Sequence, residues 1–232
     1  MITIKVKLIT LSLDGLITSW RQVLHVGLPA TATSLIAPVS MGIITRLLAG
    51  HGPEVVAGFG VGSRVEALVT MIVMAVSMTT GPFIGQNWGA RQYDRVNHAL
   101  SLTYRFSILW GVFAFVFMLV AGEYLVSLIN EDPQVVETAV RFLVIIPLSI
   151  GFMGITAVAS SSFNALGKPM PPLILSINRM FVIYLPLALL GDYLWGYTGI
   201  FIATSVTTIL TGVVAWYWNK VTIEREVLGL DP

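Results

Sequence analysis

Two charged residues stand inside a stretch that otherwise has none. Arg64 and Glu66 interrupt the apolar run from Val55 to Ile84. At a helical rise of 1.5 Å per residue, Glu66 falls roughly 16 Å from Val55. An ionised side chain at such depth costs at least ~2.5 kcal/mol against lipid, so each must face protein or water. Residues two apart on a helix point to nearly opposite sides, so these two cannot neutralise one another. Each needs a partner elsewhere, and Arg46, near one end of the preceding apolar run, is a candidate for Glu66. The carboxylate has two readings. Either it belongs to a buried ion pair that fixes helix register, or it is a site for a proton, a cation or a cationic substrate.

Other polar groups inside apolar runs give weaker signals. Thr33, Ser34 and Pro38 lie in the first run, and Asn178 and Arg179 lie in the fifth, in a different layer. All five are candidates to line a cavity. Thr31, Ser40 and the cluster Ser160, Ser161, Ser162 and Asn164 are expected to be mostly structural, because hydroxyls commonly bond to carbonyls of their own helix. His25, His51 and His98 have no metal-ligand spacing, so no metal site is expected. Cysteine is absent, which removes thiolate chemistry and disulfides. No Ser/His/Asp set, paired carboxylates or phosphate loop is present, so neither an enzyme nor an organic cofactor is expected. Gly58, Gly60 and Gly62 mimic a nucleotide-binding run but lack the strand that such a loop requires. They read instead as small residues that let helices approach closely.

The elements that hold these groups are six apolar runs: Val23–Ala49, Val55–Ile84, Leu100–Ala121, Val135–Ser161, Leu173–Leu190 and Tyr197–Trp218. A helix needs about 20 apolar residues to cross ~30 Å of hydrocarbon. Charged residues make up 11% of the 232, against about a quarter in a soluble domain. The expected fold is all-α, a polytopic membrane protein built as a six-transmembrane-helix bundle. Residues 1–22 read as a cytoplasmic, linker-like arm without a cleavage site, 23–218 as the transmembrane lobe and 219–232 as a cytoplasmic tail. A net charge of +1 argues against nucleic acid as a partner; membrane lipid is the expected surround.

Ten of the thirteen basic residues fall on one side if the joints alternate: Lys5, Lys7, Arg21, Arg91, Arg95, Arg105, Lys168, Arg179, Lys220 and Arg225. The positive-inside bias puts that side, and both termini, in the cytoplasm. Tyr193, Trp195 and Tyr197 suit one interfacial belt, and Trp216, Tyr217 and Trp218 the other. Pro38, Pro82, Pro147 and Pro186 each remove a helical hydrogen bond and favour a bend within a span.

The joints carry a resemblance. Ile84-Gly85-Gln86-Asn87-Trp88-Gly89-Ala90 resembles the G-Q-N-x-G-A segment of multidrug and toxic compound extrusion (MATE) transporters, with Gly85, Gln86, Asn87 and Gly89 as its structural motif. Four other segments agree in order: His25 to Ala30, Gly58 to Glu66, Asp132-Pro133 with Val135-Val136, and Asn164 to Pro169. The resemblance runs from about Trp20 to Trp218. It implies an inner-membrane antiporter that exports drugs or other small organic cations by alternating access of two six-helix lobes, with H⁺ or Na⁺ as the coupling ion. The residues before His25 look like an inter-lobe linker, so the chain corresponds to the C-terminal lobe. Its expected partner is a second six-helix lobe or another copy of itself. Leu35 to Pro38 and Phe152 to Gly154 lack the acids that some members place there, which leaves Glu66, with Arg64, as the ion-coupling or substrate candidate. A non-transporting remnant or assembly partner, or a flippase for lipid-linked substrates, are the alternatives.

Overall fold

Hydrocarbon offers a backbone amide no partner except another backbone group, and this chain answers with helices. The computed structural model describes residues 16–228. The elements are α1 (Leu16–Ala49), α2 (Pro53–Gly89), α3 (Tyr93–Ser127), α4 (Pro133–Ile145), α5 (Ile150–Ala165), α6 (Met170–Ile177), α7 (Leu185–Trp195) and α8 (Tyr197–Val227). A 3₁₀ turn at Ile146–Ser149 joins α4 to α5, and a π-helical segment at Asn178–Tyr184 joins α6 to α7. The result is six helical paths long and apolar enough to cross a membrane, the all-α bundle that the apolar runs predict. Helix already starts at Leu16, within the segment read as an arm, and α8 runs past Trp218 into the segment read as a tail. Lys5 and Lys7 lie outside the described residues.

Local chemistry sets the joints. Gly52 adopts φ +115°, a conformation that other residues rarely reach, and Pro53 opens α2. Asp132 caps α4, its Oδ1 accepting from the amides of Gln134 at 2.9 Å and Val135 at 3.4 Å. Gly196 alone separates α7 from α8. The four prolines act differently. Pro38 and Pro82 lie within unbroken α1 and α2, whereas Pro147 sits in the 3₁₀ turn and Pro186 is the second residue of α7, just past the π segment.

Helices in lipid gain little by hiding apolar surface, so close packing must hold them. α2 is central and packs on α3, α4 and α5; α8 packs on α5 and α7; α1 lies mainly along α6. Gly58 and Gly62 form the contact of α2 with α4, as expected for small residues at that spacing. A Cβ added at Gly58 would lie 2.6 Å from Thr138 Cβ, and one at Gly62 would lie 2.7 Å from Phe142 Cδ1. Gly60 faces open space. Beside them Phe59, Phe142 and Phe201 join α2, α4 and α8, with ring centroids 5.3–6.3 Å apart.

Polar groups tie the helices where the sequence suggests only local bonding. Thr33 and Ser40 do bond back to Pro29 O at 2.8 Å and Ile36 O at 2.7 Å. Ser161 instead donates across to Ser77 O at 2.9 Å, because Gly81 lets α5 come close to α2. Ser162 accepts from Asn219 Nδ2 at 3.1 Å, and Asn219 Oδ1 accepts from the Tyr104 hydroxyl at 2.9 Å. Asn219 and Ser162 are fully buried. At one end of the bundle, His51 Nε2 meets Asp192 Oδ1 at 2.5 Å, tying the α1–α2 joint to α7. At the other end Lys168 pairs with Glu226.

Two outcomes are expected from thermal unfolding of the purified chain in detergent. Gly58→Val should cost about 1–3 kcal/mol through overpacking, with Gly60→Val neutral. Asn219→Leu should cost about 1–3 kcal/mol, because it removes both the acceptor of the Tyr104 hydroxyl and the donor to buried Ser162.

Candidate functional site: a polar cavity beside a widened helical turn

Pro186 cannot donate the amide hydrogen that would continue the preceding turn, and its ring crowds that turn's carbonyl. The chain accommodates this by widening. Leu185 N–H reaches back five residues to Met180 O, closing the π segment. The widening changes which side chains share a face. In an α-helix, residues five apart are separated by about 140° around the axis. At the i→i+5 pitch of a π turn the separation falls to roughly 50°. Arg179 and Tyr184 are five apart, and both line one cavity.

That cavity has a volume of about 60 Å³, and its walls come from three spans. α1 contributes Ser40 and Ile44, the π segment Arg179, Met180 and Tyr184, and α8 Thr204, Thr207 and Thr208. On α8 the threonines follow the i, i+3, i+4 spacing of one helix face. Thr207 lies ten residues from the start of α8, or about 15 Å, which is half of a ~30 Å hydrocarbon layer. Ser40, Thr204 and Thr208 donate to carbonyls of their own helices. The hydroxyls of Tyr184 and Thr207 are buried; among the described residues Thr207 has no hydrogen-bond partner, and Tyr184 faces the Thr204 hydroxyl without a hydrogen bond of standard geometry. Among the described residues Arg179 has neither an ion pair nor a hydrogen bond. Among the described residues no carboxylate lines the cavity.

The residues singled out in the sequence do not form one cluster. Arg179 reaches the cavity, nine residues or about 13 Å into its span from Met170, deeper than the cytoplasmic-side position expected from the sequence. Thr33 is half-buried and Ser34 and Pro38 are exposed on α1, while Asn178 is exposed at the start of the π segment. Arg64 is exposed on α2 and Glu66 is half-buried beside the α2 core stripe. The expected pair of Arg46 with Glu66 is not formed among the described residues. Helical rise explains why. Arg46 is three residues from the end of α1 and Glu66 thirteen from the start of α2, an axial offset of about 15 Å that side chains cannot bridge. Gly85, Gln86, Asn87 and Gly89 build the end of α2. Asn87 Nδ2 donates to Phe83 O at 2.8 Å, and the Asn87 backbone carbonyl accepts from Gln92 N at 2.8 Å, which turns the chain into α3. Ser40, Tyr184 and Thr207 were not among the candidates. The threonine stripe of α8 is the sequence signal that marks that wall.

Comparison with known proteins places this geometry. The chain is 33% identical over 205 residues to the FAD transporter of Shewanella oneidensis, covering 88% of this chain and 45% of that protein. It is 24% identical over 213 residues to the multidrug export protein MepA of Staphylococcus haemolyticus, covering 90% of this chain and 47% of that one. Among solved structures it resembles the Vibrio cholerae MATE transporter VcmN in its bent form, with a TM-score of 0.87 and 30% identity over 95% of this chain and 50% of VcmN. The chain thus spans about half the length of these relatives, as one lobe would. The MatE family model matches residues 29–190, and with six helical paths long and apolar enough to cross a membrane among the described residues the chain is an integral membrane protein of the MatE family.

Proposed function

We propose that this chain is the C-terminal lobe of a cation-coupled exporter that works by alternating access. The overlay of 95% of the chain on half of VcmN carries this reading. One lobe supplies one wall of a pathway. In this reading a second six-helix lobe, or a second copy of the chain, closes over α1, whose Thr33, Ser34 and Pro38 then face the gap. Rocking of the two lobes about an axis along the membrane normal would expose the gap to each side in turn. Glu66 is the carboxylate inside a span that can trade H⁺ or Na⁺ for a small organic cation. Arg91, Arg95, Lys168, Lys220 and Arg225 gather at the Trp88 end, which supports placing that end, and both termini, on the cytoplasmic side of the inner membrane. The reading involves transport without catalysis.

Expression in a drug-sensitive bacterial host tests it. Co-expression with the N-terminal lobe of a MATE transporter should lower accumulation of an organic cation such as ethidium severalfold. Unchanged accumulation both with and without that lobe would contradict the proposal. In proteoliposomes carrying both lobes, Glu66→Gln should abolish substrate-dependent H⁺ or Na⁺ flux while elution as folded protein is retained. If flux persists, Glu66 is not the coupling group.

A further inference from the structure

A cavity at mid-depth with an unopposed cation on its wall has a definite ligand preference. Hydroxyls do not decide the sign of that ligand, because Tyr, Ser and Thr both donate and accept. The guanidinium of Arg179 decides it. Water could satisfy the idle hydroxyls of Tyr184 and Thr207, but it cannot offset a charge whose burial at the bilayer centre costs about 2.5–3.5 kcal/mol. A metal ion or organic cation would be repelled, and among the described residues no carboxylate lines the cavity to receive one. The lining hydroxyls of Ser40, Thr204 and Thr208 already donate elsewhere. Three kinds of donor therefore remain for a guest: the Arg179 fork, the Tyr184 O–H and the Thr207 O–H.

We propose that this cavity binds an oxyanion group, a carboxylate or a phosphate, held by Arg179, Tyr184 and Thr207. Size limits the guest. A water needs about 10–15 Å³ measured in this way, so about 60 Å³ admits four or five atoms. That suits a carboxylate or phosphate group and excludes a whole drug-sized molecule, so a larger ligand would insert only its acidic end. The π turn is what makes the site, because it brings Arg179 and Tyr184 onto one face. The site belongs to this lobe by itself and does not depend on the cation-coupled cycle.

The test is ligand-dependent thermal unfolding of the purified 232-residue chain in a neutral detergent, at constant ionic strength set with chloride. Sodium phosphate and sodium acetate probe the free anions, and phosphatidylglycerol in mixed micelles probes a lipid headgroup. At least one should raise the unfolding midpoint saturably. Arg179→Gln should weaken that half-saturation at least tenfold, Thr207→Val and Tyr184→Phe about threefold or more, and Arg179→Lys less than Arg179→Gln. If Arg179→Gln does not fold, Thr207→Val and Tyr184→Phe carry the same test. A response to phosphatidylglycerol alone would identify the source as lipid and retain the oxyanion site. No saturable shift with any probe, or a shift untouched by Arg179→Gln or by both hydroxyl variants, would overturn the proposal. Because no flux is measured, that failure would leave the exporter reading standing.

Discussion

No solvent inside a bilayer completes what a chain leaves unfinished, and each element of this lobe answers to that constraint. Backbone groups pair within helices, so the spans are long and the joints short. Where proline takes a hydrogen away, the structure tightens into a 3₁₀ turn at Pro147 or widens into a π turn before Pro186. The same widening that accommodates Pro186 gathers polar side chains at mid-depth. A backbone repair thus shapes a cavity wall.

Close approach of helices holds most of the lobe together. Gly58 and Gly62 bring α2 onto α4, and a Cβ at Gly111 would lie 2.5 Å from Gly151 N, so α3 and α5 touch backbone to backbone. The Trp110 indole donates 2.8 Å to Val69 O, and the Tyr104–Asn219–Ser162 chain ties α3, α8 and α5. These ties bind α2, α3, α4, α5 and α8 into one body. α1 stands apart, packed chiefly on α6 and with apolar residues such as Leu28, Leu35 and Val39 uncovered. In a two-lobe transporter that is the surface left for the other half.

The fold was largely legible in the sequence because apolar runs and punctuation both follow from the bilayer constraint. Of Gly58, Gly60 and Gly62, read together as close-packing residues, Gly58 and Gly62 do meet α4 and Gly60 does not. The candidate site was legible only in part. Arg179 stood out as a charge in a span, but Tyr184 is an ordinary aromatic residue until the helix widens and turns it toward Arg179. Partnerships across the chain were hidden. Nothing local to His51 points to Asp192, and Ser161 and Ser162 read as self-bonded until Gly81 and Asn219 come near. The pairing of Arg46 with Glu66 failed on axial distance, which counting rise along both helices exposes without any structure.

In the two-lobe reading the open face of α1 lines a water-filled gap between the lobes. The chain has no cysteine, so single thiols can be placed on it without background. The direct measurement is reaction of a membrane-impermeant maleimide with Ser34→Cys on α1 and with Val120→Cys on the exposed side of α3, in vesicles carrying both lobes. Labelling is expected at Ser34→Cys and none at Val120→Cys. Equal protection of the two thiols, with both lobes present, would contradict it.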